Sequence, residues 1–409
     1  MKKKYILLVE PKFPLSIKSK NYRSYLPIGL LKLASFYRKN GNKVKLVQGN
    51  RKKKNIGTRL NPDRILITSL FTYWSKYIRE CVQHYRNLYP KARITVGGIY
   101  ASLMPEHCKQ YTGCDDVFTG LHKKAEKCQP AYDLIFNPHP AYQIIQASRG
   151  CSRQCSFCGT WKIEPQFTFK KSIKREICSN KLIFFDNNLL ANPHIKEILK
   201  EIANTEYDGK AITCEAQCGF DGRLLTPELS KLIKKARFIS IRIAWDWGYS
   251  QRKLVKKQID MLVDAGYKSR EMYVFMLYNW NIPFKEMEKK RIKCWEWKIQ
   301  VADCRFRPLN QTFDNYNPRK KQTDKDYYIH PTWTDAEVKQ FRKNVRRQNI
   351  CVRLQKPFYS KLLEHRRIDK ETSRKLLNMP KRKKERLLGD TWFPDRITCT
   401  KESEKGGTI

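Results

Sequence analysis

Short apolar runs alternate with helical segments along the first 120 residues of the chain. The strand-like runs begin at Tyr5, Val44, Ile65, Arg93 and Asp115. One helical segment has apolar residues at i, i+3, i+4 and i+7 spacing: Trp74, Tyr77, Ile78, Cys81, Val82 and Tyr85. This alternation favours a parallel sheet with helices on both faces, which binds ligands at the carboxyl ends of its strands. We therefore predict an α/β domain with a doubly wound parallel sheet over residues 1–122.

A second alternating series follows a polar, proline-bearing linker at residues 123–142. Its predicted strands are 144–147, 181–185, 211–215, 238–244, 271–277 and 299–306. Its predicted helices are 193–204, 226–236 with Thr226 as the N-cap, 251–265 and 283–297. Parallel strands with intervening helices predict a partial (β/α)6 barrel over residues 143–315, with its chemistry at the carboxyl ends of the strands.

Beyond residue 316 the periodicity weakens and basic residues dominate. Basic clusters occur at 319–321, 366–367 and 381–384. We expect residues 316–409 to form a basic, mostly helical extension that ends in a disordered tail.

The loop after the first strand of the second series carries the most specific motif. Cys151, Cys155 and Cys158 have the spacing C-x3-C-x2-C, so one loop can wrap all three thiolates around one metal centre. A 4Fe–4S cluster normally takes four cysteines, so three leave one iron open to a substrate or cofactor. A zinc site lacking its fourth ligand, or a chance cluster, is the alternative, but no histidine lies at the usual zinc spacing.

This loop resembles the signature of the radical SAM superfamily, with Phe157 as its aromatic residue. The resemblance implies a 4Fe–4S cluster whose open iron binds S-adenosylmethionine and reductively cleaves it to a 5'-deoxyadenosyl radical. It also implies contacts with S-adenosylmethionine at strand ends. The matching residues, besides Phe157, are Asp186, Asn187, Asn188, Gln217, Arg242 and Asp246. Ordinary strand-end polarity is the alternative for these positions, and no catalytic residue is assigned.

The N-terminal segment resembles the cobalamin-binding-type domain that precedes many radical SAM barrels. Matching segments are Pro27–Leu31, Thr68-Ser69 and Gly97-Gly98-x-x-Ala101-Ser102. The resemblance implies that a corrinoid lies in a crevice lined by small or aromatic residues at strand ends: Thr68, Ser69, Phe71, Gly97 and Gly98. The chain departs from the family pattern in lacking D-x-H-x-x-G. It also has Gly120-Leu121-His122-Lys123 where Gly-Glu-Gly-Glu is usual.

Composition bears on compartment and partners. The chain has no run of 18 apolar residues and no secretory signal, so we expect a cytoplasmic protein without a membrane span. Its 83 Lys and Arg against 39 Asp and Glu give a net charge of +44, which suits anionic partners. These include nucleic acid and an acidic electron donor of the flavodoxin or ferredoxin type. A lysine-rich genome is the alternative explanation.

Three functions follow, in order of preference. The first is a radical SAM enzyme that acts as a cobalamin-dependent methyltransferase on an unactivated carbon. The second is a cobalamin-independent radical SAM enzyme that performs a rearrangement, oxidation or coupling, with nucleic acid as a candidate substrate. The third is a non-catalytic, cluster-bearing protein that binds nucleic acid.

Overall fold

The computed structural model describes residues 3–14, 26–57, 61–136 and 140–355. The chain divides into two compact units. The first comprises Met1–Ile241 and Phe306–Ile329, and the second comprises Arg242–Arg305 and His330–Ile409. The predicted basic clusters at 366–367 and 381–384, and the predicted disordered tail, lie outside the described residues.

The first unit begins with a parallel sheet that has five strands within the described residues, in the order β2-β1-β3-β4-β5. The strands are β1 (Tyr5–Glu10), β2 (Lys43–Gln48), β3 (Arg64–Ser69), β4 (Arg93–Gly98) and β5 (Asp116–Phe118). The helices are α1 (Ile28–Lys39), α2 (Lys53–Ile56), α3 (Ser75–Leu88), α4 (Ile99–Leu103), α5 (Pro105–Thr112) and α6 (Lys123–Glu126). The predicted doubly wound parallel sheet is confirmed.

Alternate residues of the central strands are buried on opposite faces of this sheet. One face contributes Leu7, Val9, Ile65, Ile67, Ile94 and Val96 to a core that includes the apolar stripe of α3. The other face contributes Ile6, Leu8 and Leu66 to a core with Leu30 and Ala34 of α1. Burial of both faces explains why these strands read as continuous apolar runs.

A second parallel sheet completes the first unit, in the order β13-β12-β9-β6. Its strands are β6 (Gln143–Ile145), β9 (Lys181–Phe184), β12 (Thr213–Ala216) and β13 (Phe238–Ile239). Short strands between them are β7 (Ser148–Arg149), β8 (Thr168–Phe169), β10 (Glu206–Tyr207) and β11 (Lys210–Ala211). The helices are α7 (Thr160–Ile163), α8 (Ile195–Ala203) and α9 (Pro227–Lys235). The predicted Thr226 cap is present, since its side chain accepts the Leu229 amide N–H at 3.1 Å.

The second unit has its own parallel sheet, in the order β14-β15-β16. The strands are β14 (Arg242–Ala244), β15 (Tyr273–Tyr278) and β16 (Gln300–Arg305), and the helices are α10 (Arg252–Asp264), α11 (Phe284–Glu296) and α12 (Asp335–Leu354). Thr334 and Glu337 form a capping box at the start of α12.

Each of the six strand segments predicted for the barrel contains a strand, so the predicted α/β class is confirmed. The prediction of one continuous strand over 238–244 is wrong. Ser240 has a φ of +52°, and this break assigns β13 and β14 to different sheets. None of the helices in the described part of the chain has the length and hydropathy that crossing a bilayer requires.

Candidate cofactor-binding site

The three predicted cluster ligands lie in one loop that a short hairpin closes. Strand β7 pairs antiparallel with β8, so residues 150–167 form the loop between them. Gly150, the first residue of this cysteine loop, has a φ of +75°, and a Cβ there would overlap the carbonyl oxygen of Gln166. Only glycine fits without moving the loop, because other residues carry a Cβ and rarely adopt positive φ. Gly150 therefore sets the turn that starts the cysteine loop.

Glu164 holds the two sides of the cysteine loop together. Its Oε1 accepts an N–H from Nη2 of Arg149 at 2.6 Å, and its Oε2 accepts the Gly150 amide N–H at 2.7 Å. Both carboxylate oxygens are thus used at the neck of the loop. No motif marks this residue in the sequence, so it was missed as a functional candidate.

The cysteine side chains are half-buried, and none of the three forms a disulfide. The Sγ of Cys151 accepts the Arg153 amide N–H at 3.4 Å, and the Sγ of Cys158 accepts that of Thr160 at 3.5 Å. N–H groups directed at sulfur are contacts that the cysteine ligands of a cluster commonly accept. In the described ranges, no three Cys, His, Asp or Glu side chains converge on a single-ion site. A cluster does not require such convergence, because each cysteine binds a different iron.

Asp186, predicted to contact S-adenosylmethionine, lies just after β9 and is 2% exposed. Its Oδ1 accepts the amide N–H of Ser148 at 2.5 Å and the hydroxyl of the same residue at 2.7 Å, while its Oδ2 accepts the Ala147 amide N–H at 3.2 Å. Burial raises the pKa of Asp186 to about 6, although these hydrogen bonds oppose the shift. The side chain therefore fixes the backbone that leads into the cysteine loop, and direct ligand contact stays a prediction.

Three other predicted residues, like Asp186, lie at the carboxyl edge of the sheet that contains β9 and β12. The Oδ1 of Asn187 accepts the Thr160 hydroxyl at 3.2 Å. Asn188 is 4% exposed, and its Nδ2 lies 3.4 Å from Asp221, but its buried Oδ1 has no hydrogen-bond partner among the described residues. The backbone N–H of Gln217, just after β12, donates to the last carbonyl of β9 at 2.9 Å. The parallel pairing of β9 and β12 thus brings these side chains to one edge.

A carboxylate at the same edge joins the cysteine loop to the segment after β12. Asp221 accepts N–H groups from Arg153, at 2.7 Å, and from Arg223, also at 2.7 Å. Burial acts to raise the pKa of Asp221, but the two guanidinium groups outweigh it and hold the pKa below its usual value. Phe157 is half-buried in the loop that this pair anchors.

The two predicted contacts in the second unit lie on and just after β14. Arg242 is the first residue of that strand and is 9% exposed, whereas Asp246 follows the strand and is half-buried. They therefore lie toward opposite ends of one short strand. Their contact with S-adenosylmethionine stays a prediction.

Helix α11 holds the backbone around Asp246 at two points. The Nζ of Lys290 donates to the carbonyl oxygens of Trp245 and Trp247 at 2.7 and 2.8 Å. One helical turn earlier, Glu286 accepts the Tyr249 amide N–H at 2.6 Å. Burial lowers the pKa of Lys290 to about 8, although the negative charge of Asp246 opposes the shift.

The residues predicted to contact a corrinoid lie at the carboxyl ends of β3 and β4, where Thr68, Ser69, Gly97 and Gly98 end the two strands and Phe71 follows β3. Thr68 and Ser69 lie opposite Gly97 and Gly98 in the parallel register. Gly98 has a φ of +101°, and a Cβ there would overlap the carbonyl oxygen of Ser69. The two strand ends therefore approach more closely than any residue other than glycine would permit.

Not all of these side chains are available to a ligand. The Ser69 hydroxyl, 1% exposed, donates to the Gly97 carbonyl at 2.7 Å and accepts the Ala101 amide N–H at 3.1 Å. Phe71 is half-buried and stacks on Tyr73, with ring centroids 5.0 Å apart. The Ser69 hydroxyl is therefore occupied by two backbone groups that connect the ends of β3 and β4. Phe71 packs in an aromatic group with Tyr73.

Ser102 was missed as a site residue and ties two strand ends together. Its hydroxyl donates to the Gly98 carbonyl at 2.7 Å and accepts the Gly120 amide N–H at 2.9 Å. Its position in the Gly97-Gly98-x-x-Ala101-Ser102 segment is the signal that could have found it.

A cavity of about 460 Å³ lies between α1 and the ends of β3, β4 and β5. Thr68, Gly97 and Gly98 line it, together with Arg149. The volume falls in the range of small-molecule sites, about 300–1,000 Å³. Because Arg149 also binds Glu164, one side chain borders this cavity and closes the cysteine loop.

Residues 19–127 match the family model of the B12 binding domain. The first unit therefore contains a B12-binding domain. This domain contains the cavity and the close approach of β3 and β4 at Gly98. The family match confirms the predicted cobalamin-binding-type domain.

Two solved structures share the fold over about three quarters of the chain. Both are of the radical S-adenosylmethionine methyltransferase TsrM from Kitasatospora setae. One, with cobalamin and a [4Fe-4S] cluster bound, is 13% identical, has a TM-score of 0.60 and covers 76% of this chain and 77% of that chain. The other, with tryptophan substrate and an S-adenosylmethionine analogue bound, is 13% identical, has a TM-score of 0.59 and covers 75% and 73%. No curated protein sequence matches the chain. The predicted α/β architecture, with an N-terminal cobalamin-binding-type domain, therefore has the fold of these two structures.

Proposed function

We propose that this protein is a cobalamin-dependent radical SAM methyltransferase that acts on an unactivated carbon. The observation that carries the proposal is the position of Arg149, which lines the cavity of the B12-binding domain and binds Glu164 at the neck of the cysteine loop. A methyl relay requires the two cofactors to lie near each other, and Arg149 joins their sites within one compact unit. The radical S-adenosylmethionine methyltransferase TsrM has the same fold over about three quarters of the chain.

The cysteine loop fits a cluster with one open iron. Cys151, Cys155 and Cys158 would hold three irons, and the backbone N–H groups directed at two of the sulfurs suit thiolate ligands. The buried Oδ1 of Asn188 needs a donor, because an unpaired buried acceptor is costly. The amino group of S-adenosylmethionine would supply that donor.

The cavity of the B12-binding domain fits the nucleotide tail of cobalamin. Gly97 and Gly98 remove side chains from the strand ends, so a bulky ligand can approach the backbone. The Nε of Arg149 is buried, lies 4.0 Å from Oε2 of Glu126 and lacks a hydrogen-bond partner in the described residues, and the phosphate of the tail would accept from it.

When bound, the cluster supplies reductive cleavage of S-adenosylmethionine and the cobalamin supplies methyl transfer. The protein's own residues position these groups. Glu164 and Asp221 hold the cysteine loop, and the buried Asp186 fixes the strand that enters it. In the second unit, Lys290 fixes the backbone that presents Asp246.

The test is anaerobic reconstitution of the full chain with iron, sulfide and hydroxocobalamin, followed by S-adenosylmethionine and a chemical reductant. We expect a retained corrinoid spectrum and release of 5'-deoxyadenosine or S-adenosylhomocysteine. Replacement of Cys155 with Ala should abolish both products without loss of corrinoid. Product formation at the wild-type rate by Cys155→Ala would mean that the cluster ligands are wrong.

The same assay separates the alternatives. Release of 5'-deoxyadenosine without corrinoid retention would favour the cobalamin-independent enzyme. No product after full reconstitution would favour the non-catalytic protein, and nucleic-acid binding with a steep salt dependence would then support it.

An acidic electron donor of the flavodoxin or ferredoxin type remains part of the proposal. Its support is a basic groove between α10 and α11, lined by Arg252, Lys253, Lys256, Lys257 and Lys293 with two aspartates. Charge complementarity of this kind mainly raises association rates. We expect reduction by flavodoxin to slow as ionic strength rises, and reduction by dithionite to change much less.

A further inference from the structure

The segment that follows β16 returns to the first unit and packs against both cofactor regions. The Ser75 hydroxyl, at the start of α3, donates to the Thr312 carbonyl at 3.2 Å. The Cβ position of Gly159, at the end of the cysteine loop, lies 3.4 Å from the side chains of Leu309 and Leu103. Residues 309–312 therefore contact α3, which follows β3, and the cysteine loop, where Leu309 and Leu103 of α4 flank the same glycine.

Gln311 lies in the middle of this segment and has an unsatisfied side chain. It is 8% exposed, and both its Oε1 and its Nε2 are buried without a hydrogen-bond partner among the described residues. A primary amide that loses water on both atoms and gains no partner opposes folding. Such a group in a native structure indicates a missing partner.

We propose that Gln311 binds a carboxamide on the rim of the corrinoid ring. This inference rests on the proposed function. The rim of cobalamin carries primary carboxamides, and a glutamine amide is complementary to them because it offers one acceptor and two donors. The segment contacts α3, which follows β3, and its Leu309 flanks Gly159 together with Leu103 of α4, which follows β4. A doubly wound sheet presents its ligand at these strand ends.

The test compares Gln311→Met with Asn310→Met in the full chain. Methionine has nearly the volume of glutamine and no polar group, so it removes the unsatisfied amide and leaves no cavity. Asn310 is the exposed neighbour and serves as the matched control. Binding of hydroxocobalamin and of diaquocobinamide, which keeps the ring carboxamides but lacks the nucleotide tail, is followed by absorbance.

We expect Gln311→Met to weaken both ligands by about tenfold, the equivalent of one hydrogen bond, and to leave the Tm of the corrinoid-free protein unchanged or higher. Asn310→Met should change neither. A lower Tm of the corrinoid-free protein with unchanged affinity would show a structural role instead. A loss confined to hydroxocobalamin would place the contact on the nucleotide tail, and either result overturns the proposal.

The same titrations distinguish a failure of the proposed function from a failure of this inference. In that case the wild-type protein itself would bind neither corrinoid, whereas a failure of this inference alone leaves wild-type binding intact.

Discussion

The close approach of the β3 and β4 ends makes Gly98 sensitive to substitution. We predict that Gly98→Ala weakens corrinoid binding. Gly98 has φ and ψ of +101° and −164°, a region essentially restricted to glycine. The added Cβ would overlap the Ser69 carbonyl oxygen and lie 2.9 Å from the Ser69 nitrogen. Both contacts are with backbone, so no side-chain rotation can relieve them.

The magnitude follows from two terms. The backbone conformation costs about 1–3 kcal/mol for a residue other than glycine. Overpacking against the neighbouring strand adds about 1–3 kcal/mol. If about 2 kcal/mol of this strain falls on the corrinoid-bound state, the Kd rises about 30-fold.

Gly113→Ala is the matched control. Gly113 lies in the same domain at the end of α5, with a φ of +71°, and a Cβ there would meet no atom within 4 Å. It carries only the left-handed penalty, about 1–2 kcal/mol. We therefore expect a modest fall in Tm and an unchanged Kd, measured by absorbance titration with hydroxocobalamin. If Gly98→Ala matched Gly113→Ala in both Tm and Kd, the reasoning about the crevice would be refuted.

Three further predictions concern the residues that position the site. Glu164→Gln keeps the shape of the side chain but leaves one oxygen acceptor for the two N–H donors of Arg149 and Gly150, which destabilises the folded loop by about 1.5–3 kcal/mol. The iron content after reconstitution should therefore fall, and full iron content would contradict this. Lys290 has its pKa lowered from 10.5 to about 8, so the folded state binds fewer protons than the unfolded state between these values. Stability relative to Lys290→Met should therefore rise with pH across that window, by up to about 3 kcal/mol, and a flat difference in Tm against pH would contradict this. Asp221→Asn should weaken the ion pair with Arg153 and so speed the loss of the cluster to a chelator. Glu228→Gln, which changes an exposed carboxylate paired with Lys196, should not, and equal rates of cluster loss in the two variants would refute the role of Asp221.

Local periodicity was sufficient to predict the strands of the N-terminal sheet and many of the helices, but not the short hairpin of β7 and β8 that closes the cysteine loop. The strands of the N-terminal sheet are buried on both faces and the helices on one, so each type leaves its own apolar pattern in the sequence. The break at Ser240 was not predictable, because the apolar run continues through it. Its positive φ is a conformation that an isolated serine rarely adopts, so the surrounding structure must impose it.

The location of the candidate site was also predictable, since carboxyl ends of parallel strands share an edge. Thr68 and Gly97 indeed lie side by side in the register. The use of each side chain was not predictable from that rule. Ser69 and Asp186 lie at the expected edges, but their polar atoms bind backbone groups. A strand-end residue either faces the ligand or braces the loop beside it, and only the tertiary contacts distinguish the two.

Glu164 and Lys290 show why positioning residues are harder to predict than ligands. Cysteines that hold a cluster must supply thiolates from one loop, so chemistry and chain connectivity force such ligands into a recognisable spacing, as in the predicted C-x3-C-x2-C motif. A positioning residue needs only to reach its target, and any segment that packs there can provide it. Lys290 reaches the carbonyl of Trp245 across 45 positions of sequence, and no spacing rule relates the two. Arg149 differs because it immediately precedes the cysteine loop, and residues this close to a ligand motif can be tested before a structure is known.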